Sequence, residues 1–208
     1  MEGFFDFKKD YVLENSQVRI RPLKESDFGN LLPFSLLEPE IWEYSLVSAS
    51  GEDNLRHYLT SATAERRRLR QYPFIVFDKL KGLYAGSTRF CEIDMGSRCL
   101  QMGYTWYGSQ FRGGNFNSHC KFLLLDFAFD LMKIERVEFR VDVDNLRGIG
   151  ALEKLGCTRE GRLRKCGPPV LGATRRDCYV YSLLREEWEE TARDKLGNRL
   201  RIVEKVAF

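Results

Sequence analysis

Two stretches of the chain alternate apolar and polar side chains with a period of two, the mark of a strand with one buried face. They are VRIRPL (18–23) and RVEFRVDV (136–143), and in the second Val137, Phe139 and Val141 share a face. Three more runs, PFIVF (73–77), LYAGSTRFCEI (83–93) and CLQMGYTWYG (99–108), are separated by short Asp, Lys and Gly turns. Consecutive strands at hairpin spacing predict an antiparallel meander. Elsewhere helical spacing takes over. Leu55, Leu59, Ala62 and Leu69 predict a helix over 50–70, with Ser50 and Asp53 as a cap-like start. Ser26 and Asp27 offer a cap for a short helix through Leu31 and Leu32 that ends near Pro39.

Asn145 begins a helix whose Leu146, Ile149, Leu152 and Leu155 line one side and which Gly156 ends. CTREGRLR (157–164) and RRDCYVYSLL (175–184) read as two final strands around a Gly-Pro-Pro loop, before a charged helix near 186–195. The middle of the chain therefore runs strand, glycine loop, helix, strand, helix, strand. After a meander, that order predicts an α/β (α+β) fold on a mixed sheet of about seven strands.

Composition narrows the class. The 208 residues suit one domain over 1–208, with a short N-terminal extension and a helical C-terminal tail. Basic and acidic residues number 33 and 30, a near-balance that does not call for nucleic acid or an anionic membrane as partner. The cluster Arg66, Arg67, Arg68 and Arg70 sits where a helix C-terminus suits cations, and reads as a solvated helix end rather than an anion or RNA patch. The six cysteines form no C-x-x-C pair, and His57 and His119 are the only histidines, so no metal is expected and most thiols read as reduced packing residues. The first residues lack the basic start and continuous apolar core of a signal peptide, and no apolar run approaches a membrane span. A cytoplasmic protein, monomer or homodimer, is expected.

The chemistry-bearing stretch is WYGSQFRGGNFNSHCKFLLLDFAFDLM (106–132). A helix N-terminus exposes unpaired N–H groups, and a loop of small residues before it turns more of them the same way, which suits a phosphate. Glycine admits the close approach, asparagine tolerates positive φ, and Arg112 adds a planar cation. Neither G-x-x-x-x-G-K-[ST] nor a Rossmann G-x-G-x-x-G is present.

Arg112-Gly113-Gly114-Asn115-Phe116-Asn117 fills the [Q/R]-x-x-G-x-[G/A] places that the GNAT superfamily of acyl-CoA-dependent N-acetyltransferases carries between its fourth strand and third helix. LENSQVRIRPL (13–23), PEIWEY (39–44), GSTRF (86–90), GYTW (103–106), NLR (145–147), Leu163-Arg164 and RDCYVYS (176–182) follow in the order and spacing of the RimJ/RimL-type branch, ribosomal-protein-alanine N-acetyltransferase-like proteins. The chain resembles that branch over nearly its whole length. The resemblance implies a GNAT fold with helices on both faces and a V-shaped opening between the fourth and fifth strands for acetyl-CoA. Backbone groups of Thr105, Trp106 and Tyr107 would pair with the pantetheine, Arg112, Gly113, Gly114, Asn115, Phe116 and Asn117 would take the pyrophosphate, and Asn145 would contact the thioester region. The acceptor, a protein N-terminus or a small amine, would be bordered by Trp42, Tyr44, Arg89 and Phe90.

Three positions where relatives carry a Glu, a Ser or a Tyr hold Gln101, Gly148 and Leu152. Glu92, Asp94 and Asp142 remain as candidate bases and Tyr181 as candidate acid, while His119 falls on the cofactor side. An N-acetyltransferase is the leading expectation. A non-catalytic acyl-CoA-binding or sensing protein of the same fold is the alternative, and an RNA- or ribosome-associated protein is disfavoured by the charge balance.

Overall fold

The computed structural model describes residues 5–167 and 175–202. Its strands are β1 (Leu13–Glu14), β2 (Val18–Pro22), β3 (Tyr72–Asp78), β4 (Leu83–Asp94), β5 (Cys99–Tyr107), β6 (Arg136–Asp142), β7 (Thr158–Leu163) and β8 (Cys178–Leu184). They form one sheet in the order β1-β2-β3-β4-β5-β6-β8-β7. The eighth strand, beyond the seven legible in the pattern, is the two-residue β1. It is returned to β2 by Asn15, whose Oδ1 accepts the Gln17 and Val18 N–H groups at 2.9 and 3.0 Å. Neighbouring strands are antiparallel except β5 and β6, which run parallel. A parallel pair needs a crossover, and the glycine loop with α3 (Phe116–Asp126) supplies it.

Helices cover both faces, and β4 shows how the faces divide. The Arg89 guanidinium lies 4.5 Å from the ring of Tyr58 on α2 (Glu52–Arg67). Phe90, the next residue, stacks on Phe127 just past α3 and meets Phe74 edge-on. Successive strand residues point to opposite faces, so α1 (Phe28–Leu37) and α2 lie on one side and α3 on the other. The C-terminal helices α5 (Arg185–Glu187) and α6 (Arg193–Leu200), joined by the π turn Trp188–Ala192, pack beside α3. No helix among the described residues is long and apolar enough to cross a membrane.

Helix ends depart from the sequence expectation in three places. Ser50 does not cap α2: Gly51 is the N-cap residue, and the Ser50 carbonyl accepts Asn54 Nδ2 instead. Leu69 lies beyond the helix at φ +60° and is 51% exposed, because the Arg70 N–H returns to the Glu65 carbonyl and closes the helix there. α4 (Leu146–Leu155) is capped by Asn145 and ended by Gly156 as expected, yet its Leu146 is 77% exposed. The arginine cluster is largely occupied within the chain. Arg66 pairs with Asp10 and donates to the Phe7 and Lys9 carbonyls, Arg67 pairs with Glu25, and Arg68 with Glu65.

Cys91, Cys120 and Cys157 are buried free thiols and Cys99 is half-buried. Cys166 and Cys178 are joined as a disulfide with their Cα atoms 6.0 Å apart. The β7–β8 hairpin brings them together by setting Leu163 opposite Cys178, a pairing that sequence spacing does not reveal.

Candidate active site

The parallel pair β5–β6 is joined over only Cys99↔Arg136, Leu100↔Val137 and Gln101↔Glu138. Beyond those pairs the two strands part, while each stays bonded to its outer neighbour, β5 to β4 and β6 to β8. The reason lies in β5. Between Arg89↔Gly103 and Ser87↔Trp106, Tyr104 and Thr105 face the single residue Thr88. That is a β-bulge, and Tyr104 sits at φ +51° within it. The bulge bends β5 away from β6 and leaves a wedge-shaped gap bordered by backbone of residues 102–107. The expected opening between a fourth and a fifth strand is this gap, renumbered by β1.

The Arg112–Asn117 loop stands at the open end. Gly113 adopts φ +85°, a conformation L side chains rarely take, and an added Cβ at Gly113 or Gly114 would meet nothing within 4 Å. Asn115 does not use its tolerance of positive φ: it is at φ −84° and starts α3 without a side-chain cap bond. The first return bond of the helix runs from His119 N–H to the Asn115 carbonyl at 3.0 Å, so the N–H groups of Phe116, Asn117 and Ser118 open the helix. Arg112 donates Nε to the Tyr107 carbonyl at 2.8 Å, which folds it over the end of β5. Among the described residues its two Nη groups make no hydrogen bond or ion pair. Burial and the nearby Arg147 guanidinium lower its pKa against the opposite pull of Glu38 and Glu40, neither of which bonds it. The Asn145 Oδ1 accepts the Gly148 N–H at 2.9 Å, which leaves its Nδ2 for another acceptor.

His119 turns away from this loop. Its Nδ1 is 3.3 Å from Asn15 Nδ2, and burial lowers its pKa, so a neutral ring ties α3 to the β1–β2 turn. Trp106 also faces inward: its Nε1 donates to the Tyr58 hydroxyl at 3.2 Å and its ring meets Trp42 edge-on at 4.8 Å. Thr105 shares a hydrogen bond with Thr88 at 2.7 Å.

On the α1–α2 face, Arg89 is 4% exposed and held between the rings of Tyr58 and Tyr104, with Nη1 donating to Gln71 Oε1 at 2.9 Å. Its Nε is buried without a partner among the described residues. Phe90 is fully buried on the opposite face and cannot border a pocket with Arg89, because adjacent strand residues point apart. Trp42 is buried against Trp106, and Tyr44 is half-open to solvent beneath Arg176.

The ionisable candidates are scattered. Asp142, at the end of β6, accepts the Asp144 N–H and pairs with Arg176 at 3.3 Å, next to Tyr44. Partial burial, with Glu43 and Asp142 nearby, raises the Tyr44 pKa. Glu92 is exposed at φ +47°, on β4 and so one strand from the gap. Asp94 is held below its ordinary pKa by the Ser97 and Gly96 groups whose turn it closes. Tyr181, on β8 and one strand away on the other side, donates to Glu153 of α4 at 3.2 Å, and its pKa rises through burial and that carboxylate. At Gly148 the helix comes so near β6 that a Cβ would lie 2.7 Å from Val141 Cγ2, so a serine is crowded out. Among the described residues no cluster of His, Cys, Asp or Glu could hold a metal.

Residues 17–158 match the family described as acetyltransferase (GNAT) domain. A Bacillus subtilis (strain 168) protein provisionally named ribosomal N-acetyltransferase YdaF is 31% identical over 180 residues, 84% of this chain and 95% of its own. A provisionally named acetyltransferase from T. thermophilus superposes with a TM-score of 0.80 at 31% identity, over 91% of this chain and 96% of that one. Mycobacterium smegmatis RimJ, solved in complex with CoA-disulfide, shares the fold with a TM-score of 0.73 at 21% identity, over 92% of this chain and 94% of its own. Sequence and fold agree over the same residues, and this chain belongs to the GNAT acetyltransferase family.

Proposed function

We propose that the protein transfers an acetyl group from acetyl-CoA to a primary amine, on a protein N-terminus or a small molecule, by direct attack of the amine on the thioester. The observation that carries this reading is the gap between β5 and β6, joined at one end by the ladder and opening at the other onto the N–H-rich cradle. The residues present fit the group. The backbone of Thr105, Trp106 and Tyr107 has no partner on β6 and suits an amide-bearing arm, and Arg112, Gly113, Gly114, Asn115, Phe116 and Asn117 suit a pyrophosphate. Asn145 Nδ2 would reach the arm. When bound, acetyl-CoA supplies the acyl thioester.

The chain's own contribution is position and electrostatics. A backbone N–H on the edge of β5 that has no β6 partner would meet the oxyanion. Trp42 and Tyr44 would border the acceptor, and Arg89, whose guanidinium bonds only Gln71 among the described residues, would hold a carboxylate on it. Asp142 sits beside Tyr44 at the rim and would take the amine proton. Glu92 and Tyr181 lie a strand away and are weaker choices.

Thiol release from acetyl-CoA in the presence of N-terminal peptides, free amino acids and small amines tests the reading. Release with at least one acceptor, and its acetylated product by mass spectrometry, is expected. Acetyl-CoA binding with no acetylated product, even from cell extract, would favour a non-catalytic acyl-CoA-binding protein. The non-ionisable Gln101, Gly148 and Leu152 are the observation behind that second reading.

A further inference from the structure

Lys121 lies on α3 among residues that are all buried, from His119 to Asp126, and is itself 8% exposed. Its Nζ is 3.0 Å from Met102 Sδ and 5.0 Å from the centre of the Phe139 ring. Met102 and Phe139 are the residues that follow the last β5–β6 pair, Gln101↔Glu138. The amine therefore stands at the vertex of the gap, where the strands begin to part. Among the described residues no carboxylate bonds it, although a buried ammonium is costly without a partner. The other titratable groups facing it are the thiols of Cys120, on its own helix, and Cys157, after α4. Burial raises both to about 12, so neither supplies a negative charge. Desolvation in turn lowers Lys121 to about 8.

From Tyr107, beside the cradle, to Met102 is about 16 Å of strand at the usual rise. An extended CoA arm between pyrophosphate and sulfur is of similar length, so its sulfur ends near the vertex. Resting on the acyl-CoA reading above, we propose that Lys121 is the proton donor of the transfer. The amine nitrogen of the acceptor bonds to the acyl carbon and loses its surplus proton through water to Asp142, and the carbon–sulfur bond breaks with its electron pair going to sulfur. The Lys121 Nζ gives that sulfur a proton and recovers one from water.

The test needs no acceptor. The thiolate absorbance of bound CoA is titrated from pH 6 to 10 with the wild-type chain and with Lys121→Met. An ammonium within about 4–6 Å favours the thiolate, so the wild-type midpoint should come about one pH unit or more below that of the variant. Equal midpoints overturn the proposal and leave the CoA site standing. No CoA bound by the wild-type chain overturns both. Should Lys121→Met not fold, the wild-type chain alone decides by NMR of the Lys121 Nζ. Its titration must move with CoA but not with desulfo-CoA, and the same response to both overturns the proposal. With an identified acceptor, Lys121→Met should lower kcat about a hundredfold while CoA affinity holds within about threefold.

Discussion

At the scale of single residues, two glycines constrain the site in different ways. Gly113 has space for a side chain but not the backbone conformation for one. Gly113→Ala would carry about 1–2 kcal/mol of strain at positive φ. The loop relieves it by shifting, so CoA affinity in calorimetry should fall about three- to tenfold. Unchanged affinity would count against the cradle. Gly148 has the converse problem, no space beside Val141. Gly148→Ser should destabilise the fold by about 1–3 kcal/mol in urea unfolding, through overpacking, and a neutral result would mean that α4 can slide outward. Lys121 adds a pH dependence with a definite sign. Its pKa falls from 10.5 unfolded to about 8 folded, so between those values the unfolded chain holds a proton that the native chain lacks. Stability from this group therefore rises with pH from about 8 to 10.5, and below about 8 the native state bears the full cost of a buried ammonium. Lys121→Met removes that cost. It should be more stable than wild type at pH 7, by at most about 3 kcal/mol, and the advantage should shrink near pH 10. A variant less stable at pH 7 would show that the Met102 and Phe139 contacts outweigh desolvation.

At the scale of elements, local chemistry was legible in the sequence and long-range chemistry was not. The Asn145 cap and the Gly156 stop were readable because both depend on neighbours a few residues away. The strand alternation of β6 held, with Val137, Phe139 and Val141 buried on one face. The Cys166–Cys178 bridge was hidden because it depends on a hairpin register. The docking of α3 onto the C-terminal segment was hidden too. There Asp126, 4% exposed, accepts two bonds from Arg193 at 2.6 and 3.0 Å and one from Trp188 Nε1 at 3.3 Å. Arg193→Met strands a buried carboxylate and should cost about 3 kcal/mol. Because α3 also carries the cradle, CoA binding should weaken in the same variant. Thermal unfolding and calorimetry together read both effects, and an intact melting temperature would show that water replaces the guanidinium.

At the scale of the whole molecule, the site is a consequence of how the sheet is wired. The crossover through α3 makes β5 and β6 parallel, and the bulge at Tyr104 and Thr105 bends β5 so that the two cannot stay paired. The glycine loop was visible in the sequence as a short motif. The gap was reached only through resemblance, since it is the absence of hydrogen bonds between strands that read as ordinary from their side chains. Lys121 left a fainter signal: it stands directly before the apolar run FLLLDFAF (122–129), on a helix buried from His119 to Asp126. If the gap is where CoA docks, its ligand must supply the missing partners of residues 102–107, as an added strand would. Amide hydrogen exchange should then slow at residues 103–107 and 116–118 when CoA is added. β3 and β4 are already bonded on both sides, so their exchange should stay the same. Protection confined to 116–118 would place the pyrophosphate but leave the arm outside the gap. Lys121 would then have no sulfur to protonate, and the proton would have to come from the solvent-facing rim around Tyr44 and Asp142.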